Sequence, residues 1–157
     1  MALNIFRRRG LPAVEQVKGV TPGEFGDRNA MVFRMARKFI LAGVAANVGS
    51  MVLSIAMMDR LEETAPAYET FLSSVWISSI GLGTLAAIAV MFWVAGRFER
   101  TAMALHAGAG AGQASPEVEH HMVRAAKLIH LGYRLTLFVG VTLVMAVIMA
   151  IRGLMSV

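Results

Sequence analysis

Cysteine is absent from this chain and charge is scarce, with only 16% of its 157 residues being Asp, Glu, Lys or Arg. The first absence excludes a disulfide framework, a thiolate metal site and a cysteine nucleophile, and it leaves redox chemistry silent about the compartment. The second sets few polar groups against 57% apolar residues, too few to cover a compact core with a wetted surface. A mean hydropathy of +0.63 excludes the opposite case, a disordered chain, which needs low hydrophobicity and high charge.

What is present is three long apolar runs. Phe39 to Met58 carries no charge between Lys38 and Asp59. Phe71 to Ala95 is again free of charge and is closed by Arg97, and Leu135 to Ile151 lies between Arg134 and Arg152. About 20 helical residues at 1.5 Å each cross a hydrocarbon core of about 30 Å. Uninterrupted apolar runs are the helical solution to satisfying the backbone in lipid, whereas a barrel strand alternates. The expected fold is an all-α integral membrane protein with transmembrane helices at about 39–58, 72–95 and 134–151. The expected domains are an N-terminal segment over 1–26 and a three-helix membrane domain over 27–157.

Lysine and arginine orient the spans. Residues 1–38 hold eight of them against three acids, and 59–72 hold Arg60 alone against Asp59, Glu62, Glu63 and Glu69. Residues 96–134 hold five against three acids, and the tail has Arg152. The expected location is the bacterial inner (cytoplasmic) membrane, with the N-terminus and the 96–133 loop cytoplasmic and the C-terminus periplasmic. Tyr68, Phe71 and Trp76 at the outer end of the second span, and Phe92, Trp93 and Phe98 at its inner end, suit an aromatic belt. The first residues lack the apolar core of a cleavable signal or a twin-arginine signal. Leu3, Ile5 and Phe6 beside Arg7, Arg8 and Arg9 fit either a headgroup anchor or a solvated terminus.

The cytoplasmic parts read as helical extensions. Gly19 to Gly26, with three glycines and Pro22, predicts a turn-rich connector, and Asp27 then stands as N-cap of a helix entering the first span. Met31, Val32, Met35 and Phe39 share one face of that helix, leaving Arg28, Arg34, Arg37 and Lys38 for headgroup phosphates. His106 to Pro116 is low-complexity Gly/Ala, a hinge rather than a phosphate loop, because no Gly-Lys follows and no strand precedes. Ser115-Pro116 starts the next helix, on which Val118, Met122, Ala125, Ile129 and Gly132 follow helical spacing. Lys127, His130 and Arg134 form a basic stripe on it; with Arg124 they read either as a solvated face or as a lipid or partner surface.

No ionisable residue falls within a proposed span, which argues against a pump, an ion-coupled carrier or an intramembrane hydrolase. Asn47, the most polar side chain in a span, suits an interhelical hydrogen bond. His130, at the mouth of the third span, is a weak haem candidate, since the other spans offer no histidine as opposing ligand. Met145 and Met149 have the spacing of a thioether pair for Cu(I), but methionine also packs adaptably. The spans do carry small residues at helical spacing: Ala42, Ala46, Ser50 and Ser54; Ser79, Gly83 and Ala87; Gly132, Thr136 and Gly140. Small residues let helix backbones approach closely in lipid.

These features predict a non-catalytic membrane subunit that packs into a larger complex, either secretion or conjugation machinery or a respiratory or photosynthetic assembly. The expected partners are other membrane subunits, a second copy of the chain and anionic lipid headgroups, without nucleic acid and without a cofactor. The alternatives are a haem- or quinone-associated anchor of a redox complex, and an oligomeric channel or metal transporter.

Overall fold

The computed structural model describes residue 17 and residues 19–63, 65–109 and 115–156. Among them are three helices and no strand: α1, Pro22–Met58; α2, Pro66–Gly108; and α3, Pro116–Met155. Their lengths of 37, 43 and 40 residues all exceed what a hydrocarbon core requires, and each holds a window of mean hydropathy of at least 2.0. The chain is an all-α, multi-pass membrane protein, as its charge-free runs predict. Arg7, Arg8 and Arg9, and residues 110–114 of the Gly/Ala segment, lie outside the described residues.

Proline opens every helix. Pro22, Pro66 and Pro116 occupy the first helical position, where a missing N–H is no loss and φ is already helical. Ser115 caps α3 as expected, its Oγ accepting from the Val118 N–H at 3.4 Å, and Glu117 and Glu119 lie in the first turn. The expected start of α1 is overturned. Instead of Asp27, Thr21 caps the helix in a reciprocal box: the Glu24 N–H donates to Thr21 Oγ1 at 3.4 Å and the Thr21 N–H to Glu24 Oε2 at 3.3 Å. The glycines around this Thr-Pro-Gly-Glu motif disguised it as a turn. Of the glycines there, Gly19 alone has a positive φ, 79°.

The chain divides into two compact units, and each helix contributes a segment to both. The extension unit comprises Met1–Ala36 with Val90–Tyr133, and the span unit comprises Arg37–Ala89 with Arg134–Val157.

In the span unit, α1 turns Gly43, Asn47 and Ser54 inward, with Ser50 half-buried beside them. The inward row on α2 is Phe71, Ser74, Ser78, Gly81, Leu85 and Ile88, alternating steps of three and four. On α3 it is Val139, Thr142, Ala146, Ala150 and Gly153. That alternation keeps a seam facing its neighbours along a helix. Gly43 packs on Leu85, and the Phe71 ring lies against Gly153. Ser54 Oγ donates to Ser74 Oγ at 3.1 Å, and Ser74 Oγ donates in turn to the Ala146 carbonyl at 3.0 Å. This relay ties all three helices together. Ser50 Oγ lies 3.4 Å from Ser74 Oγ, and Ser79 Oγ lies 3.8 Å from Met51 Sδ.

Several expected packing residues stand elsewhere. Ala42, Ala46, Gly83 and Ala87 face outward; the close contacts are made one residue along by Gly43 and two residues back by Gly81. Asn47 is wholly buried, but its Nδ2 donates to the Gly43 carbonyl of its own helix at 2.8 Å, so the expected interhelical bond is not formed. Ser79, Thr136 and Gly140 are half-buried, while Gly132 is buried in the extension unit.

Gly81 tests this arrangement. A Cβ there meets Asn47 Oδ1 at 2.6 Å and Thr142 Oγ1 at 3.2 Å, and Asn47 cannot yield without losing its bond to Gly43. Gly81→Ala is expected to destabilise the protein by about 1–3 kcal/mol, the usual penalty for overpacking. Gly83→Ala, where a Cβ meets nothing within 4 Å, is expected to leave stability unchanged or slightly raised. Unfolding of each variant by sodium dodecyl sulfate in mixed micelles measures both.

Candidate functional site

The extension unit has a core of small and apolar side chains. Phe25 and Ala36 come from α1, Phe92, Ala95 and Ala102 from α2, and Val118, Met122, Ala125, Ala126 and Ile129 from α3. The α3 face is the one its helical spacing predicts. The expected α1 face is not: Met31 and Met35 are exposed, and Phe25, Gly26, Asn29 and Ala36 turn inward. Phe33 meets Phe92 edge-to-face at 5.8 Å and 77°, and the Phe92 ring also covers Gly132.

A polar group is set into this core. Glu99 on α2 is half-buried, with one carboxyl oxygen, Oε1, packed against Gly26 on α1. The other, Oε2, is buried without a hydrogen bond. Met103, one turn further along α2, closes over the same glycine. Asn29, one turn beyond Gly26, is 0% exposed, and neither of its amide atoms closes a hydrogen bond of normal length. Burial pushes the Glu99 carboxyl above its ordinary range, and the neighbouring Asn29 amide and Arg100 charge only partly oppose that. Glu99 lies past Arg97, outside the charge-free run.

At Phe98, the residue before Glu99, the His121 ring tilts against the phenyl ring at 5.6 Å, and its Nδ1 is buried without a partner. Arg124 lies over the Phe98 ring, 5.7 Å from its centre, and His120 meets His121 edge-on at 6.2 Å. Chemically these side chains offer one carboxyl, one carboxamide and one imidazole. They can hold a proton or exchange hydrogen bonds. Among the described residues no three His, Asp or Glu side chains gather closely enough to hold a metal ion.

The sequence reasoning passed over Asn29 and Glu99. The signal for Asn29 was its place on the Asn47 face: eighteen residues make about five turns, so the two asparagines lie on one stripe of α1. The basic residues of the expected lipid or partner surface, Arg34, Arg37, Lys38, Arg124, Lys127 and Arg134, are all exposed. His130 is exposed too, as is Met145, with Met149 half-buried. Among the described residues His130 belongs to no group of three or more His, Asp or Glu side chains that could hold a metal ion.

No family model, curated protein or solved structure matches the chain.

The Glu99 carboxyl makes stability depend on pH. Its folded pKa is raised above the ordinary 4.5, so the native state holds the proton more tightly than the unfolded chain does. The resulting stabilisation is fully present below about 4.5 and is lost as pH rises through the folded value. Glu99→Gln, which keeps the shape without the charge, is expected to flatten that part of the profile and to raise stability at neutral pH. Thermal unfolding in detergent from acid to neutral pH checks this; a profile parallel to the wild type would refute it.

Proposed function

We propose that the chain is a non-catalytic subunit of the bacterial inner membrane that packs into a larger membrane complex, with its N-terminus and 96–133 loop cytoplasmic. The observation that carries this reading is the pair of outward small-residue faces in the span unit. Ala42 and Ala46 on α1, and Gly83 and Ala87 on α2, are exposed, and a Cβ added at Gly83 would meet nothing within 4 Å. A helix that only faces lipid has no need of such flat strips, which other membrane helices use for close approach. The spans also hold no ionisable side chain that would supply a transport or catalytic centre.

The orientation rests on charge alone. The loop after α1 carries Asp59, Glu62 and Glu63 with Arg60, whereas both ends assigned to the cytoplasm carry an excess of lysine and arginine. Secretion or conjugation machinery and respiratory or photosynthetic assemblies are the hosts that suit a small helical subunit of this kind.

The lack of native cysteine makes the test clean. Photo-activated cross-linkers placed at Ala46 and Gly83 in native membranes are expected to give discrete protein adducts, identified by mass spectrometry. One at Val144, exposed on α3, is expected to give fewer. A monomer recovered alone after mild detergent extraction, with no adduct at either strip, would overturn the subunit reading. Single cysteines at Leu61 and Ala109 report orientation, with only Leu61 expected to react with an impermeant maleimide in cells with a permeabilised outer membrane.

A further inference from the structure

The inner end of the second span carries a second feature that the packing does not use. Trp93, Arg97, Arg100, Thr101, Ala104 and Leu105 line an open cavity of about 670 Å³ on α2. They come from successive turns of one helix face, just where the charge-free run ends and charge begins. Trp93 is 58% exposed, and the Arg97 guanidinium lies over its ring, 5.2 Å from the centre. That stacking flattens Arg97 against an amphipathic ring at the depth where tryptophan belongs, between acyl chains and water. Arg100 is held differently. Its Nε donates to the Gly96 carbonyl at 3.1 Å, which fixes the side chain along the helix and leaves the terminal nitrogens to face the cavity.

No carboxylate lines this cavity, so its two positive charges are not answered from within. The nearest acid, Glu99, interacts with Arg100 but is itself biased toward the neutral form by burial. A fixed pair of guanidinium groups fits the oxygens of a phosphate better than flexible ammonium groups do. Trp93, on the membrane side of both arginines, supplies an apolar wall on which the glycerol and the first part of an acyl chain can lie.

We propose that this cavity binds the phosphodiester of one anionic phospholipid, with Arg97 and Arg100 as donors and Trp93 as the wall. The site differs from a general attraction of headgroups to basic flanks, because its donors are oriented by a ring and a backbone carbonyl. It stands independently of whether the chain has protein partners.

The test uses the full chain reconstituted in phosphatidylcholine vesicles containing phosphatidylglycerol, with lipid retained on the protein read by native mass spectrometry after mild extraction. The wild type is expected to retain phosphatidylglycerol over phosphatidylcholine. Arg97→Gln with Arg100→Gln is expected to lower that retention by about five-fold or more, given roughly five-fold for each basic residue at an anionic surface. Arg34→Gln with Arg37→Gln removes the same charge from the basic flank of α1 and is expected to lower retention clearly less than the α2 pair does. Trp93→Ala, which keeps both arginines, is expected to lower it as well. Equal losses from the α1 and α2 pairs would reduce the effect to diffuse charge and overturn the site, as would full retention by the α2 pair. Displacement of the lipid by millimolar inorganic phosphate would assign the cavity to a free anion instead. Unchanged helical circular dichroism in each variant secures the comparison.

Discussion

Three helices in hydrocarbon have no apolar reason to choose one another, because a lipid tail covers leucine as well as a neighbouring leucine does. What selects one arrangement is the polar relay from Ser54 through Ser74 to the Ala146 carbonyl, which joins one hydroxyl or carbonyl from each helix of the span unit. The relay needs the backbones close. Gly43, Gly81 and Gly153 meet that need on α1, α2 and α3, each lying against a side chain of a neighbour. The large apolar side chains can then point outward without loss, as Leu41, Val52, Ile80, Leu137 and Val141 do. In water such an arrangement would be inside out; in lipid it follows from the solvent.

The seam also shows how far sequence reasoning reaches. Runs without charge are one-dimensional signals, so the spans could be placed from composition alone. The inward face is a rotational question, and there a strict i+4 row misleads. Four residues advance the helix by about 400°, so Ala42, Ala46, Ser50 and Ser54 wind around α1 by about 40° at each step. Only the last two reach the seam, which instead steps from Gly43 to Asn47 to Ser50 to Ser54. Gly83 and Ala87 were chosen on the same row logic and came to face away from the seam at Gly81 and Leu85. On α3 the alternating spacing of Val118, Met122, Ala125, Ile129 and Gly132 was itself in the chosen set, and that face is buried throughout.

The candidate site was hidden for a different reason. Glu99 reads in the sequence as one more charge between Arg97 and Arg100, on a stretch expected to be wet. Its burial comes from Gly26 across the unit, and Gly26 was itself assigned to a turn because the Thr21–Glu24 capping box was overlooked. The missed cap therefore concealed the contact between Gly26 and Glu99. Local chemistry at a helix start decides the register of all that follows on that helix, and α1 carries both buried asparagines.

Those asparagines give the two units a common logic. Each unit encloses one: neither amide atom of Asn29 closes a hydrogen bond of normal length, and Asn47, set against Gly81, leaves its Oδ1 without one while its Nδ2 donates to the Gly43 carbonyl. An unsatisfied amide adds nothing to stability, so its presence in both interiors points to specification of register rather than strength. The chain thus spends its polar groups on defining its own packing and leaves its outer faces chemically plain. The polar groups that reach an open cavity, Arg97 and Arg100 beside Trp93, are donors suited to holding an anion.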